Sequence, residues 1–517
     1  MSIISYALLL PTLTFPLFGD QAIYARGAQV ILNGGTLYID YLDLKPPLIY
    51  YLFTPIVWLF GYSDLALRAG DLIVQAATVT IFIYCIRRLT RDDRIAYIGA
   101  VMFSIGYVSI GFLHTLCCET FMSPLVILLI YHHLKRDVHN PSAFVIGVLT
   151  GIICALKYTA GIVLPFSFIA VWFMSTSTKL QRFILMIWIV IGFILTMSVC
   201  HIQILMNTNM LDGYRLMLQF VVEYNKLISV NGSFIRDGLK MTSSYFGDMY
   251  SLLFSAFAIA GIWFGLSREQ SALRYRPLVL LVVLYAAGLY LSVVLERRFG
   301  NHHFMRMYIL MILLSAIGFV KLSSVFPISF SKHGVVTQAL IVVMAVFTPL
   351  PRYAKYIPPL FGSLTDSKFI RKYYTRYDQN QLRFLERDSI TGFITANRTA
   401  SKRTLIVGMA ACQMNLTLDE PAWSVFSHAQ FFFAEKVPDV WKNRFYKELR
   451  QTEYTVVFMD DEMPMLNGHS RTSWESLQRD SVAYPYFKEN FSVVYRTENI
   501  LVFKRNPPRS IPVSSPQ

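Results

Sequence analysis

The chain has 517 residues, 54% of them hydrophobic and only 15% charged, with a mean hydropathy of +0.45. An ordinary soluble domain is excluded, because one core cannot hide that much apolar surface, and lipid is the expected solvent. The net charge of +15 comes with no basic stripe interleaved with aromatics, and the six cysteines form no CxxC pair; nucleic-acid binding, a disulfide framework and a metal–thiolate site are therefore not expected.

Between Met1 and Leu350 about eleven apolar stretches follow one another, near the ~20 residues needed to cross a bilayer core. The first, "MSIISYALLLPTLTFPLF", lacks a basic n-region and a small-residue cleavage site, so it reads as a retained helix. "FGDQAIYARGAQVILNGG" (18–35) then reads as a short interfacial helix that opens at Asp20 and closes at Gly34-Gly35. An acid in that place serves either as an N-cap acceptor or as a general base at the membrane surface. Tyr24, on the same segment, is a candidate substrate or metal contact.

"YIDYLDLKPPLIYYLF" (38–53) places Asp40, Asp43 and Lys45 ahead of Pro46-Pro47, and the proline pair suits the first turn of a new helix. Lys45 thus stands at headgroup depth, where a lysine either snorkels or meets a lipid phosphate. Asp40 and Asp43 are candidates to orient Lys45 or to contact sugar or metal. Arg68, in "SDLALRAGD", pairs with Asp64 or Asp71 or adds to the phosphate site. "LHTLCCETFMSPLVILLIY" (113–131) opens a span with Glu119, a place that suits a carboxylate on structural grounds as well. Lys157 falls between two apolar stretches in "ICALKYTAGIV" and requires an anion. "ERRFGNHHFMRMYILMILL" (296–314) opens another span with Arg297, Arg298, His302 and His303. Consecutive histidines on a helix point apart, so donation to a phosphate or sugar is expected of them rather than joint metal ligation.

Lys and Arg crowd the short loops at 87–94, 132–137, 178–182, 267–276 and 321–334, which the positive-inside rule makes cytoplasmic. Asp20, Asp40, Asp43, Lys45, Glu119, Lys157, Arg297, Arg298, His302 and His303 then all fall at the outer ends of spans. Charged groups at membrane depth mark function, and here one leaflet collects them from several segments. No P-loop, GxSxG, HExxH or GxGxxG motif occurs in a convincing context.

The segment "GDQAIYARGAQVILNGGTLYIDYLDLKPPLIYYL" resembles the first extracytoplasmic loop of the GT-C glycosyltransferases. The likeness is to the bacterial relatives of protein O-mannosyltransferases and of the aminoarabinose–lipid A transferase. Asp20, the 38–48 run and Glu119 match that family's pattern in order and side, and Glu119 stands where many members carry Asp. The segments around Lys157 and His302-His303 also resemble family segments. The resemblance implies transfer of a hexose or pentose from a polyprenyl-phosphate carrier to an extracytoplasmic lipid, glycan or protein, with inversion. Asp20 or Glu119 would be the base. Lys45, and after it Arg297, Arg298, Lys157, His302 and His303, would bind the donor phosphate. No cofactor is implied with certainty, and a divalent metal is left open. A multi-span transporter or lipid-linked sugar flippase is the alternative, although span interiors are mostly apolar and no internal repeat is visible.

Beyond Pro351 charges become frequent and short apolar runs replace long ones. Strands are expected at 404–409, 454–460 and in a hairpin at 491–505, with helices around 367–387 and 438–450. The expected fold is a polytopic α-helical membrane domain of GT-C type (1–350, with the first extracytoplasmic loop and its interfacial helices at 19–66). A small soluble extracytoplasmic α/β domain (351–517) follows it. The expected location is an inner or plasma membrane.

Overall fold

The computed structural model describes residues 2–135, 139–228, 234–296, 301–325, 349–362, 368–375, 383–398, 403–408, 410–418, 423–433, 436–461 and 472–507. They group into two compact units. One comprises Met1–Tyr24, Lys45–Leu211 and Asn231–Ile370; the other comprises Ala25–Leu44, Asp212–Val230 and Arg371–Gln517.

The first unit is helical. Five helices are long and apolar enough to cross a membrane: Asp64–Thr90, Asp93–Ile110, Lys179–Cys200, Arg276–Glu296 and His302–Ser323. A bent pair, Gly238–Gly247 and Leu252–Leu266, would make a sixth. Shorter apolar helices accompany them: Ser2–Thr14, Leu48–Phe60, Cys118–Leu134, Asn140–Leu156 and Tyr158–Met174. Phe183, Ile194, Leu195 and Val199 are exposed on the Lys179–Cys200 helix, the arrangement of a surface solvated by lipid. Helices here approach closely through small residues. A Cβ on Gly318 would stand 1.9 Å from the Phe257 carbonyl oxygen, and one on Gly261 2.1 Å from that of Leu314. That pairing seats the span that carries His302 and His303 at its start.

In the second unit four strands form a sheet of order β1-β2-β4-β3: β1 Thr404–Val407, β2 Tyr454–Phe458, β3 Phe491–Arg496 and β4 Ile500–Arg505. β1 and β2 run parallel, because the intervening chain makes a helical crossover that includes Asp439–Gln451; β3 and β4 form an antiparallel hairpin. Every residue of β1 and β2 is buried, as expected for continuous apolar runs covered on both faces. Ile390 and Ile394 from the Phe384–Asn397 helix close one face over Ile406, Val456 and Val502. The unit also takes in part of the first loop. The Leu42 N–H donates to the Val425 carbonyl at 2.6 Å, and the Tyr41 hydroxyl lies 3.4 Å from Cys412 Sγ. Part of the helix expected around 367–387 lies outside the described residues.

Candidate active site

Four of the described charged candidates of the first unit, Asp20, Lys45, Glu119 and Lys157, meet in two acid–lysine pairs. Asp20 begins the Asp20–Leu32 helix after Gly19, whose φ of +49° suits a residue without Cβ. Its carboxylate runs along the helix: Oδ2 accepts from the Tyr24 hydroxyl one turn on at 3.0 Å, and Oδ1 accepts from Lys45 Nζ at 2.9 Å. At the start of the helix Gln21 Oε1 accepts the Phe18 N–H at 3.0 Å. Burial opposes ionisation of Asp20, yet the Lys45 ammonium, with His302 behind it, holds its carboxyl well below the usual carboxylate range. Tyr24 is fully buried, receives Cys118 Sγ–H at 3.3 Å, and carries Lys45 over its ring at 5.6 Å. Its polar atom is thus engaged with Asp20 and Cys118, so it orients the pair. Pro47, with φ −67° and ψ −29°, leads from Lys45 into the Leu48–Phe60 helix, as the proline pair indicated.

The second pair is enclosed. Glu119 lies in the first turn of the Cys118–Leu134 helix and is 1% exposed. Lys157 is extended, with φ −159° and ψ 113°, in the expected break between Asn140–Leu156 and the 3-10 turn Tyr158–Ile162. Its Nζ lies 2.5 Å from Glu119 Oε1 and 2.7 Å from His303 Nδ1, and it forms an ion pair with Glu296 Oε1 at 3.3 Å, so two carboxylates and an imidazole surround the ammonium. His303 Nδ1 is also 3.1 Å from Glu119 Oε1. It either accepts from Lys157 or donates to Glu119, so its protonation is tied to both. Arg306, fully buried, pairs with Glu296, donates to Ser292 Oγ at 2.8 Å and to Thr159 Oγ1 at 3.1 Å, and lies 3.5 Å from Glu119 Oε1. Two carboxylates and two permanent cations therefore balance. His302 stands within electrostatic reach of both Asp20 and Glu119.

The loop that delivers Glu119 is itself pinned. Arg68, fully buried, donates to the carbonyls of Phe15, Pro16 and Phe112, to Thr115 Oγ1 and to Gln21 Oε1. Of the two acids named for it, it lies near Asp71, at 3.7 Å. Arg68 thus ties the approach to Asp20 to the approach to Glu119. Sequence reading left out Gln21, Glu296 and His114 and did not foresee what Arg68 and Arg306 hold. The available signals were polar residues inside apolar runs (Arg306) and an acid ahead of two arginines (Glu296).

Asp40 and Asp43 belong to the second unit, where Asp40 closes its own turn by accepting the Thr36 N–H at 2.8 Å and Asp43 is buried. Arg297 and Arg298 lie outside the described residues. The consecutive histidines do not diverge as expected: their ring centroids are 4.0 Å apart, and Glu119, His302 and His303 offer ligand atoms all within 4.8 Å of one another. The residues nonetheless do not fit a divalent metal. Lys157 already engages Glu119 Oε1 and His303 Nδ1, and Arg306 faces the same oxygen, so a dication would meet two fixed positive charges.

Residues 44–202 match a family model described as dolichyl-phosphate-mannose-protein mannosyltransferase. Curated protein sequences gave no match. Among solved structures the chain is similar to ArnT from Cupriavidus metallidurans bound to undecaprenyl phosphate, at 13% identity and a TM-score of 0.57, covering 100% of this chain and 97% of that one. The apo state of the same protein matches at 14% identity and a TM-score of 0.58, covering 97% and 95%. The chain has the GT-C fold, and over residues 44–202 it is similar to the protein O-mannosyltransferases.

Proposed function

We propose that this chain is an integral-membrane glycosyltransferase. It moves a hexosyl or pentosyl group from a polyprenyl-phosphate carrier to an acceptor hydroxyl, with inversion at the anomeric carbon. The observation that carries this reading is the Asp20–Lys45 pair, a carboxylate and an ammonium 2.9 Å apart and partly open to the surroundings. In the resting site Lys45 neutralises Asp20. A carrier phosphate beside Lys45 divides the ammonium between two anions, so Asp20 becomes a stronger base once the donor is in place. Asp20 takes the acceptor proton as the acceptor oxygen bonds to the anomeric carbon. The sugar–phosphate C–O bond breaks with its electron pair on the phosphate, where Lys45 stabilises the charge. The undecaprenyl phosphate of the matched ArnT structure supports a carrier of this kind.

Glu119 is already engaged by Lys157, His303 and Arg306. Its part, with Lys157, is to fix the cluster against which the donor sits. Arg297, Arg298 and His302 remain further partners for the phosphate. The shorter apolar helices complete about eleven spans. The basic loops face the cytoplasm, and the site and the 351–517 domain lie on the extracytoplasmic side of an inner or plasma membrane. The test is sugar transfer from undecaprenyl-phosphate-linked donors by the full chain in nanodiscs. Asp20→Asn and Lys45→Met should each abolish transfer while leaving the fold intact. Full activity in both would overturn the reading.

A further inference from the structure

We propose that His114 is a substrate-contacting residue of this site: its Nδ1 hydrogen-bonds a hydroxyl of the carrier-linked sugar and discriminates among sugars. The inference rests on the transfer reaction proposed above. His114 projects from the turn between the Asp93–Ile110 and Cys118–Leu134 helices, and that turn is held on every side. Gln21 Nε2 donates to the carbonyls of Phe112 and Thr115, both at 2.6 Å, and Arg68 donates to Phe112 and Thr115 as well. The Tyr107 hydroxyl accepts the Leu116 N–H at 3.1 Å and donates to Asp71 at 2.7 Å. Leu116, a branched residue, is held at a φ of +56°, a strained conformation that persists only where the surroundings over-determine it and that clusters at ligand clamps.

Within this rigid turn one buried polar side-chain atom has no hydrogen-bond partner among the described residues, and it is His114 Nδ1. Buried nitrogens are almost always paired, so an unpaired one beside a reaction site reads as a contact reserved for substrate. The His114 ring lies nearly parallel to that of His302, with centroids 6.2 Å apart and planes at 13°. His302 in turn lies within reach of Asp20 and Glu119, which places His114 one ring removed from the reacting carboxylates. Burial, and the neighbouring His302, push the His114 imidazole down to about 3, which favours the neutral ring. A neutral ring suits a sugar rather than the phosphate, which Lys45 attracts. Nδ1 of a neutral ring carries either an N–H or a lone pair, according to the tautomer, and a sugar hydroxyl can accept from the one or donate to the other. Sites built to hydrogen-bond a substrate hydroxyl discriminate strongly against analogues that lack it.

The test measures binding to the full chain in nanodiscs. The probes are undecaprenyl phosphate alone and undecaprenyl phosphate carrying one of several hexoses or pentoses. His114→Phe keeps the ring against His302 and removes Nδ1, whereas His114→Asn keeps a polar atom near the Nδ1 position. His114→Phe should weaken the preferred sugar-linked carrier by about tenfold and leave the bare carrier unchanged, with His114→Asn recovering part of the loss. Equal weakening of both, no weakening, or a wild type indifferent to the attached sugar would overturn the proposal. A wild type that binds no carrier, bare or loaded, defeats the transfer reaction and this inference with it. Normal carrier binding with an indifferent His114→Phe defeats the inference alone.

Discussion

The two acid–lysine pairs are alike in chemistry and opposite in setting. In the first, Lys45 and Asp20 are 21% and 28% exposed; in the second, Lys157 and Glu119 are 11% and 1% exposed. The first takes the Tyr24 hydroxyl on Asp20, whereas the second is enclosed among His303, Glu296 and Arg306. An accessible ion pair contributes little to stability, and its partners can be drawn apart by an arriving anion. A buried pair resists separation, because either charge left alone keeps its desolvation cost. On the proposed reading the first pair carries proton transfer and phosphate contact, and the second holds the geometry.

The largest effect should come from the open pair. Asp20→Asn is expected to lower kcat by about 10²–10⁴-fold, the range of a lost general base, with a loss of stability small beside that of breaking the enclosed pair. Single-turnover transfer together with thermal unfolding checks this, and a large loss of stability with little loss of rate would reverse the assignment. Next, Lys157→Ala and Glu119→Ala should each destabilise the chain by about 3–5 kcal/mol, because each orphans a buried charge. The double variant should cost less than the two single losses together, as read from a double-mutant cycle of denaturant unfolding.

A smaller effect concerns pH. The Asp20 carboxyl is lowered on folding, so its stabilising contribution is present above the unfolded value of about 3.9 and is lost only as pH falls below it. The stability difference between wild type and Asp20→Asn should therefore stay constant from neutral pH down to about 4 and shrink below that. Shrinkage that sets in near neutrality would show that Lys45 does not hold Asp20 ionised. The smallest change is Tyr24→Phe, which removes one hydroxyl bond to Asp20 and should lower kcat by at most about tenfold through a lost hydrogen bond of ~0.5–1.5 kcal/mol. A loss as deep as that of Asp20→Asn would make Tyr24 a participant in the chemistry.

Much of the site was legible as residues and little of it as partnerships. Asp20 before an interfacial helix, Lys45 before a proline pair, Glu119 at a span start and Lys157 in a break all stand where local rules place them. Their grouping into two pairs was not readable. Lys157 was offered as a phosphate ligand, and the structure sets its ammonium against Glu119, Glu296 and His303. Asp43 and Lys45 are near neighbours in sequence yet belong to different units. His114 carried no local signal, because its place depends on a turn tied down by Gln21, Arg68 and Tyr107 from three other segments.

Composition and periodicity by themselves determined a lipid-solvated helical chain, the strands of its small sheet and the residue types at the helix ends. These follow from hydrophobic burial, backbone hydrogen bonding and proline geometry, which act over a few residues. Only the tertiary structure decided which acid meets which cation, that one pair is open and the other enclosed, and that the adjacent histidines converge. Contacts of that kind join residues as far apart in the chain as Glu119 and His303, and their energy depends on desolvation, which no local pattern records.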